Sequence, residues 1–199
     1  AGYVAKKMGL PINKLIVATN SNDILKRVIK TGIYKPTEVK YTVSPSMDIQ
    51  VASNFERLVF DINSQDSEIT NKLMNELKLN GEFNLTEENL KKISKDFCSE
   101  SLSEEETKSV INKFYKENKI LIDPHTAIGI GVADKLHMNE NVIVLATAHP
   151  YKFSDIVAKH TGIKPDLPEN LKNILLKKEK FIKLPNDLEK VKDYILERV

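Results

Sequence analysis

The 199 residues include 41% hydrophobic and 29% charged side chains, enough apolar material for one large domain, or a piece of a bigger one, with a real core. Thirty basic residues against 28 acidic ones leave a formal net charge of +2, so nothing calls for nucleic acid or an anionic membrane as partner. No apolar run approaches the ~20 residues of a membrane span, no signal peptide is visible, and the single cysteine, Cys98, excludes a disulfide framework and suits a reducing cytosol.

Ala1 to Gly9 reads as the body of a helix stopped by Gly9, so the chain reads as starting within a domain. Lys14 to Asn20 follows as a strand, and the capping run Ser21-Asn22-Asp23 leads into a helix carrying Ile24, Leu25, Val28 and Ile29, stopped at Thr31-Gly32. Tyr34 to Val43 is extended, with a short strand expected at Val39 to Val43, and it ends in the loop Ser44-Pro45-Ser46-Met47-Asp48. A helix from Gln50 to Ile62 would place Val51, Phe55, Leu58 and Val59 on one face.

From Asn63 to Asn118 the chain is charged and reads as helical. Ile69, Leu73 and Leu77 form one stripe, Leu90, Ile93 and Phe97 another, and Ser103 to Glu106 is a capping box. The expected organisation is therefore a first α/β part over 1–62, a helical excursion over 63–118, and the remainder with carboxyl-terminal helices over 119–199. Strand character resumes at Lys119 to Ile122 and runs into Asp123-Pro124-His125-Thr126-Ala127 and a helix from Ile128 to Leu136. Val142 to Thr147 reads as a fully buried strand, because four aliphatic residues in a row leave no polar face. Helices are then expected over 152–160, 169–176 and 187–198, the last capped by Asn186 with Glu189.

Helix and strand alternate as in a parallel α/β sheet, whose ligand crevice lies at the carboxyl ends of the strands. Asn20 and Asp23, Asp123, and Thr147 stand at three such ends, where they are readable as a small-molecule site or, more commonly for such spacing, as ordinary caps, turns and core polar groups. Rival chemistries find little support. The four histidines show no zinc-type spacing, no Gly-x-Ser-x-Gly elbow is present, Gly129-Ile130-Gly131 is only a fragment of a dinucleotide fingerprint, and Cys98 has no activating partner in its helical surroundings.

Four longer segments go further. Ala18-Thr19-Asn20-Ser21-Asn22-Asp23, Ser44 to Ile49 with Ser53-Asn54-Phe55-Glu56-Arg57, Asp123 to Ala127, and Ala146 to Phe153 resemble, in order, consecutive motifs of the threonine synthase family; only Tyr151 departs, at a place where the family has a small residue. The resemblance implies part of a fold type II, tryptophan synthase β-like α/β domain with a few-stranded, mainly parallel sheet and many helices. It also implies an enzyme that uses pyridoxal 5'-phosphate to convert O-phosphohomoserine and water to threonine and phosphate. The family's Schiff-base lysine, in a Phe-Lys-Asp motif, and its Asn-Phe-Gly-Asp phosphate loop are not in this sequence, so the chain resembles the carboxyl-terminal half alone.

That resemblance gives the strand-end residues roles. Thr147 would hydrogen-bond the pyridine nitrogen, with Ala146 beside it, and Asp123 and His125 would line the cofactor face as the catalytic candidates. Asn20, Asp23, Ser44, Ser46, Asp48, Asn54 and Arg57 would form or support the substrate side. Arg57 is the best local partner for a phosphate or carboxylate, unless it only pairs with Glu56 or Asp61. The implied partners are the substrate, the missing amino-terminal half and, through an uncovered sheet edge, other copies of the chain.

Overall fold

The computed structural model describes residues 1–138 and 141–199, which form two compact units, 1–165 and 166–199. The first unit is organised around β1 (Leu15–Thr19), which pairs in parallel with β4 (Phe97–Ser101) in the register Leu15 with Phe97 to Thr19 with Ser101. Helix α1 (Gly2–Lys7) precedes β1 and is tied down by its side chains: the Tyr3 hydroxyl donates to Asp61, and Lys7 pairs with the same carboxylate at 2.9 Å.

On one side of the ladder lie α2 (Ile24–Thr31), the short β2 (Ile33–Tyr34), α3 (Ser53–Ile62), α4 (Ser67–Asn80), β3 (Phe83–Asn84) and α5 (Glu87–Asp96). β2 and β3 form an antiparallel pair, and Gly32, at φ 77°, makes the left-handed turn between α2 and β2 that a side chain would strain. Their core joins Ile24, Val28, Val59 and Ile93 to a stack in which the Tyr34 ring lies between Phe55 and Phe83, with centroids 5.4 and 4.8 Å away. The buried Tyr34 hydroxyl accepts the Ala52 N–H at 2.7 Å and so fixes the entry to α3. A second core sets Ile16 and Ala18 of β1 with Leu102 and Met47 against α7 (Pro124–Lys135) through Ile128 and Val132. α6 (Glu104–Asn118) packs on α7 and on α8 (Ser154–Thr161), with Ile111 fully buried.

Several expectations hold: β1, α2 with its Gly32 stop and the Ser103–Glu106 capping box; the helix expected over Ile128 to Leu136 is present but starts four residues earlier, at Pro124, because Asp123 caps it. Others change, for physical reasons. Phe97 and Cys98 lie in β4, not on a helix. Lys14 donates to the carbonyls of Ser94 and Lys95 at 2.9 and 2.7 Å, closing the end of α5, and the next five residues alternate across the sheet. The charged stretch after Asn63 therefore contains the strand that β1 pairs with.

Val39 to Val43, Lys119 to Ile122 and Val142 to Thr147 form no strand. A strand is defined by its ladder, and none of the three has a neighbouring strand among the described residues. The segment expected to be most buried is largely exposed, with Ile143 at 85% and Leu145 at 60% of full accessibility. Val144 comes close to α7, and the absence of a side chain at Gly129 is what admits it: a Cβ there would stand 2.8 Å from Val144 Cγ1.

The second unit holds two 3-10 turns, Glu169–Leu171 and Ile174–Leu176, and α9 (Leu188–Leu196). The helix expected over 169–176 is reduced to these turns. Its leucines find no apolar face to pack against within the unit, and burial of such a face is what stabilises most protein helices. α9 is capped by Asp187, which accepts the Lys190 N–H at 3.1 Å, rather than by Asn186.

Candidate active site

β1 ends at Thr19, and Asn20 turns the chain away with its side chain buried, 3% exposed. Its amide Nδ2 donates to Thr42 Oγ1 and Asp48 Oδ1, both at 2.8 Å, and to Ser44 Oγ at 3.0 Å. Its Oδ1 accepts the Asn22 N–H at 2.8 Å. Asn22 in turn grips the backbone of Lys40 from both sides, donating to its carbonyl and accepting its N–H at 2.8 Å each. This is a side-chain imitation of a strand pair. It accounts for an extended 35–43 segment that has no ladder.

Asp48 gathers the loop. Oδ1 accepts the Asn20 and Asn22 amides and the Thr42 hydroxyl, the last at 2.7 Å, and Oδ2 accepts the Thr42 N–H at 2.8 Å. The other end of the segment is braced by Arg27, which holds Asp23 at 2.9 Å, the Lys35 carbonyl at 2.7 Å and Gln50 Oε1 at 3.1 Å. Between these anchors, the 3-10 turn Pro45–Met47 lowers Met47 into the core beside Ile16 and Ala18 and leaves Ser46 exposed.

α7 supplies the second wall. Asp123, fully buried, caps the helix by accepting the His125 N–H at 2.9 Å and the Thr126 N–H at 3.3 Å, and it also accepts the Thr126 hydroxyl. His125 Nδ1 lies 2.8 Å from Asp123 Oδ2, and its Nε2 accepts the Ser46 backbone N–H at 3.2 Å. A carboxylate on one side and an N–H donor on the other assign the neutral tautomer with its proton on Nδ1. The Phe153 ring packs on the imidazole at 4.7 Å between centroids.

Asn20, Ser44, Ser46, Asp48, Asp123 and His125 therefore belong to one hydrogen-bonded assembly at the carboxyl end of β1. The remaining candidates stand outside it. Asp23 is committed to Arg27. Asn54 and Arg57 lie exposed on the outer face of α3, and Arg57 has neither Glu56 nor Asp61 as partner, since Asp61 is taken by Tyr3 and Lys7. Ala146 and Thr147 are exposed, shortly before the Pro150–Phe153 turn that His149 caps by accepting the Tyr151 N–H at 3.2 Å.

Two members of the assembly, Asn22 and Thr42, are absent from the candidates read from sequence. Asn22 reads as one of three consecutive capping residues and Thr42 as a β-branched residue of a strand. The only available signal was the density of Asn, Ser, Thr and Asp on both sides of that segment.

The family described as "Threonine synthase, C-terminal" matches residues 126–195. The threonine synthase of Saccharomyces cerevisiae is 43% identical over an alignment covering all of this chain and 44% of the relative, and that of Pseudomonas aeruginosa is 39% identical over 98% of this chain and 42% of the relative. A crystal structure of PLP-bound threonine synthase from Brucella melitensis superposes with a TM-score of 0.84 at 42% identity, covering 98% of this chain and 42% of that one. The chain thus spans less than half the length of these relatives. Full coverage of the chain at such identities, on a shared fold that carries all four motif segments, establishes that it belongs to the threonine synthase family and corresponds to the carboxyl-terminal portion of its members.

Proposed function

We propose that the protein of which this chain is a part is a cytoplasmic threonine synthase, converting O-phosphohomoserine and water to L-threonine and phosphate with pyridoxal 5'-phosphate. The observation that carries this reading is the bonded assembly of Asn20, Asp48, Ser46, His125 and Asp123, built from three of the family's motifs at the sheet edge where α/β proteins bind ligands. No helix among the described residues is long and apolar enough to cross a membrane.

On this reading the chain supplies one wall of the site. Thr147, whose exposed hydroxyl has no hydrogen-bond partner among the described residues, fits the pyridine nitrogen of the cofactor, and the small Ala146 leaves room beside the ring. When bound, pyridoxal phosphate supplies the electron sink for loss of the substrate's phosphate and addition of water. A neutral hydroxyl at the ring nitrogen tempers that sink, which a carboxylate would strengthen. Asp123 and His125 line the cofactor face in a fixed orientation, each imidazole nitrogen and each carboxylate oxygen having a hydrogen-bond partner. Asn20, Ser44 and Asp48 shape the substrate side from beneath, Ser46 adds an exposed hydroxyl, and Asn54 and Arg57, exposed on α3 outside the bonded assembly, keep side chains free for the substrate, Arg57 for its phosphate or carboxylate. Asp23 supports this side indirectly, through Arg27.

The test is direct. The full-length protein, supplied with pyridoxal phosphate and O-phosphohomoserine, is expected to release phosphate and threonine in equal amounts; phosphate without threonine, or neither, rejects the reading. Residues 1–199 alone are expected to be inactive and to develop no absorbance band with pyridoxal phosphate. The exposed aliphatic run Val142–Leu145 favours contact with the amino-terminal half, or self-association when that half is missing. A clean monomer of residues 1–199 at high concentration in size-exclusion chromatography would count against that surface.

A further inference from the structure

The geometry points to Thr42 as a positioning residue, one whose hydroxyl sets the shape of the Ser44–Asp48 loop on the substrate side of the site. This rests on the functional reading above and extends it to a side chain that touches neither cofactor nor substrate in that reading. A threonine hydroxyl has one proton and two lone pairs, and here its surroundings call on all of them. It donates to Asp48 Oδ1 at 2.7 Å, accepts from Asn20 Nδ2 at 2.8 Å and from the Ser44 N–H at 3.1 Å, and has the Ser44 hydroxyl as a further neighbour at 3.0 Å. The Thr42 backbone N–H adds a bond to Asp48 Oδ2 at 2.8 Å, so residue 42 meets both oxygens of the carboxylate that closes the loop.

The consequence lies four residues on. With its ends fixed at Thr42 and Asp48, the turn presents the Ser46 N–H to His125 Nε2, and His125 is itself fixed by Asp123. Deleting the hydroxyl removes one donor from Asp48 and one acceptor each from Asn20 and Ser44. The loop then loses its single arrangement before any core contact is disturbed, because Thr42 is only half-buried and belongs to no apolar cluster. Thr42→Val keeps the side-chain shape and removes the hydroxyl, whereas Thr42→Ser keeps the hydroxyl and removes a methyl group.

The experiment uses the full-length protein with pyridoxal phosphate bound. For Thr42→Val, kcat/KM for O-phosphohomoserine is expected to fall at least tenfold while the cofactor's absorbance band is unchanged. Exchange of the Ser46 amide should rise at least tenfold with Ile111 in the core still protected. Thr42→Ser is expected to stay within threefold of the parent in both readouts. If valine prevents folding, Thr42→Ala, which also removes the hydroxyl and places no branched side chain among the polar groups, is read in the same way. Equal losses for Val and Ser, or a Val variant matching the parent, overturn the assignment. A parent protein that makes no threonine rejects the functional reading instead, and the Ser46 exchange then decides the role of Thr42 by itself.

Discussion

Ser46 and His125, 79 residues apart in sequence, are joined by a 3.2 Å hydrogen bond from the Ser46 backbone N–H to the imidazole Nε2. That bond connects the loop after the extended 35–43 segment to the first turn of α7, and it leaves His125 no free nitrogen, since Nδ1 faces Asp123 at 2.8 Å.

His125 and Asp123, the two side chains at the α7 end of this connection, should differ in what they contribute to stability. His125→Ala removes one ring contact and two hydrogen bonds, but Ser46 is exposed and water can replace the lost acceptor, so a loss of about 1–2 kcal/mol is expected. Asp123→Ala removes the cap of α7 and strands the Thr126 hydroxyl in a buried position, for about 3 kcal/mol or more. Urea unfolding of the two variants reads the difference, and equal losses would contradict this division of roles. Asp123→Asn, which retains a capping oxygen, should fall between them.

Glu100 provides the clearest pH dependence. Hydrogen bonding from Lys26, then from Lys30 and the Ser101 N–H, outweighs partial burial and lowers its carboxyl to about 2. A folded value below the unfolded one, about 4.3, stabilises the fold above that unfolded value, and the contribution is lost as pH falls towards about 2. Unfolding between pH 5 and pH 2 should therefore weaken the parent more than Glu100→Gln, by on the order of 1–2 kcal/mol with solvent screening included. Parallel curves for the two proteins would remove Glu100 from the acid sensitivity.

Local signals in the sequence reached most of the helices, because caps and periodic apolar faces act within a few residues: Ser103 with Glu106 and Gly32 after α2 are readable in place. They failed where the outcome depends on a distant partner. Val142 to Leu145 has the composition of a buried strand, yet composition does not supply a ladder. β4 looked helical because the lysine that ends α5 is Lys14, some 80 residues away. In the site the motif residues were legible one by one, but not their division into the braced set around Asp48 and the outward-facing set of Asn54, Arg57 and Thr147. Only the fold decides which hydroxyls and amides find one another.

The two close-packed glycines of α7 should respond oppositely to alanine. Helix propensity favours Ala over Gly by about 1 kcal/mol at either position. At Gly131 an added Cβ would stand 2.4 Å from Leu102 Cδ1 and 2.8 Å from Val110 Cγ2, in a core where Leu102 is only 3% exposed. Overpacking of that kind costs about 1–3 kcal/mol and outweighs propensity, so Gly131→Ala should destabilise. At Gly129 the sole close neighbour is Val144, on a segment with no ladder to break, and Gly129→Ala should be neutral or slightly stabilising. Thermal unfolding of the two variants checks the ordering.

Arg57 separates binding from stability most cleanly. Of the three arginines, Arg27 is held by Asp23, Gln50 and a carbonyl, and Arg198 stacks 3.7 Å from the Tyr194 ring and pairs with Glu197. Arg57 is exposed on α3 with no partner among the described residues. Its replacement by alanine should therefore change unfolding free energy by less than about 0.5 kcal/mol. If the guanidinium takes the phosphate or carboxylate of O-phosphohomoserine, the same replacement in the full-length protein should raise KM at least tenfold, which corresponds to about 1.4 kcal/mol of binding. Lysine should restore the charge but not the two-pronged geometry, recovering only part of the loss. An unchanged KM for Arg57→Ala, measured with stability intact, would place the anion elsewhere in the site and leave Arg57 as a solvated surface residue.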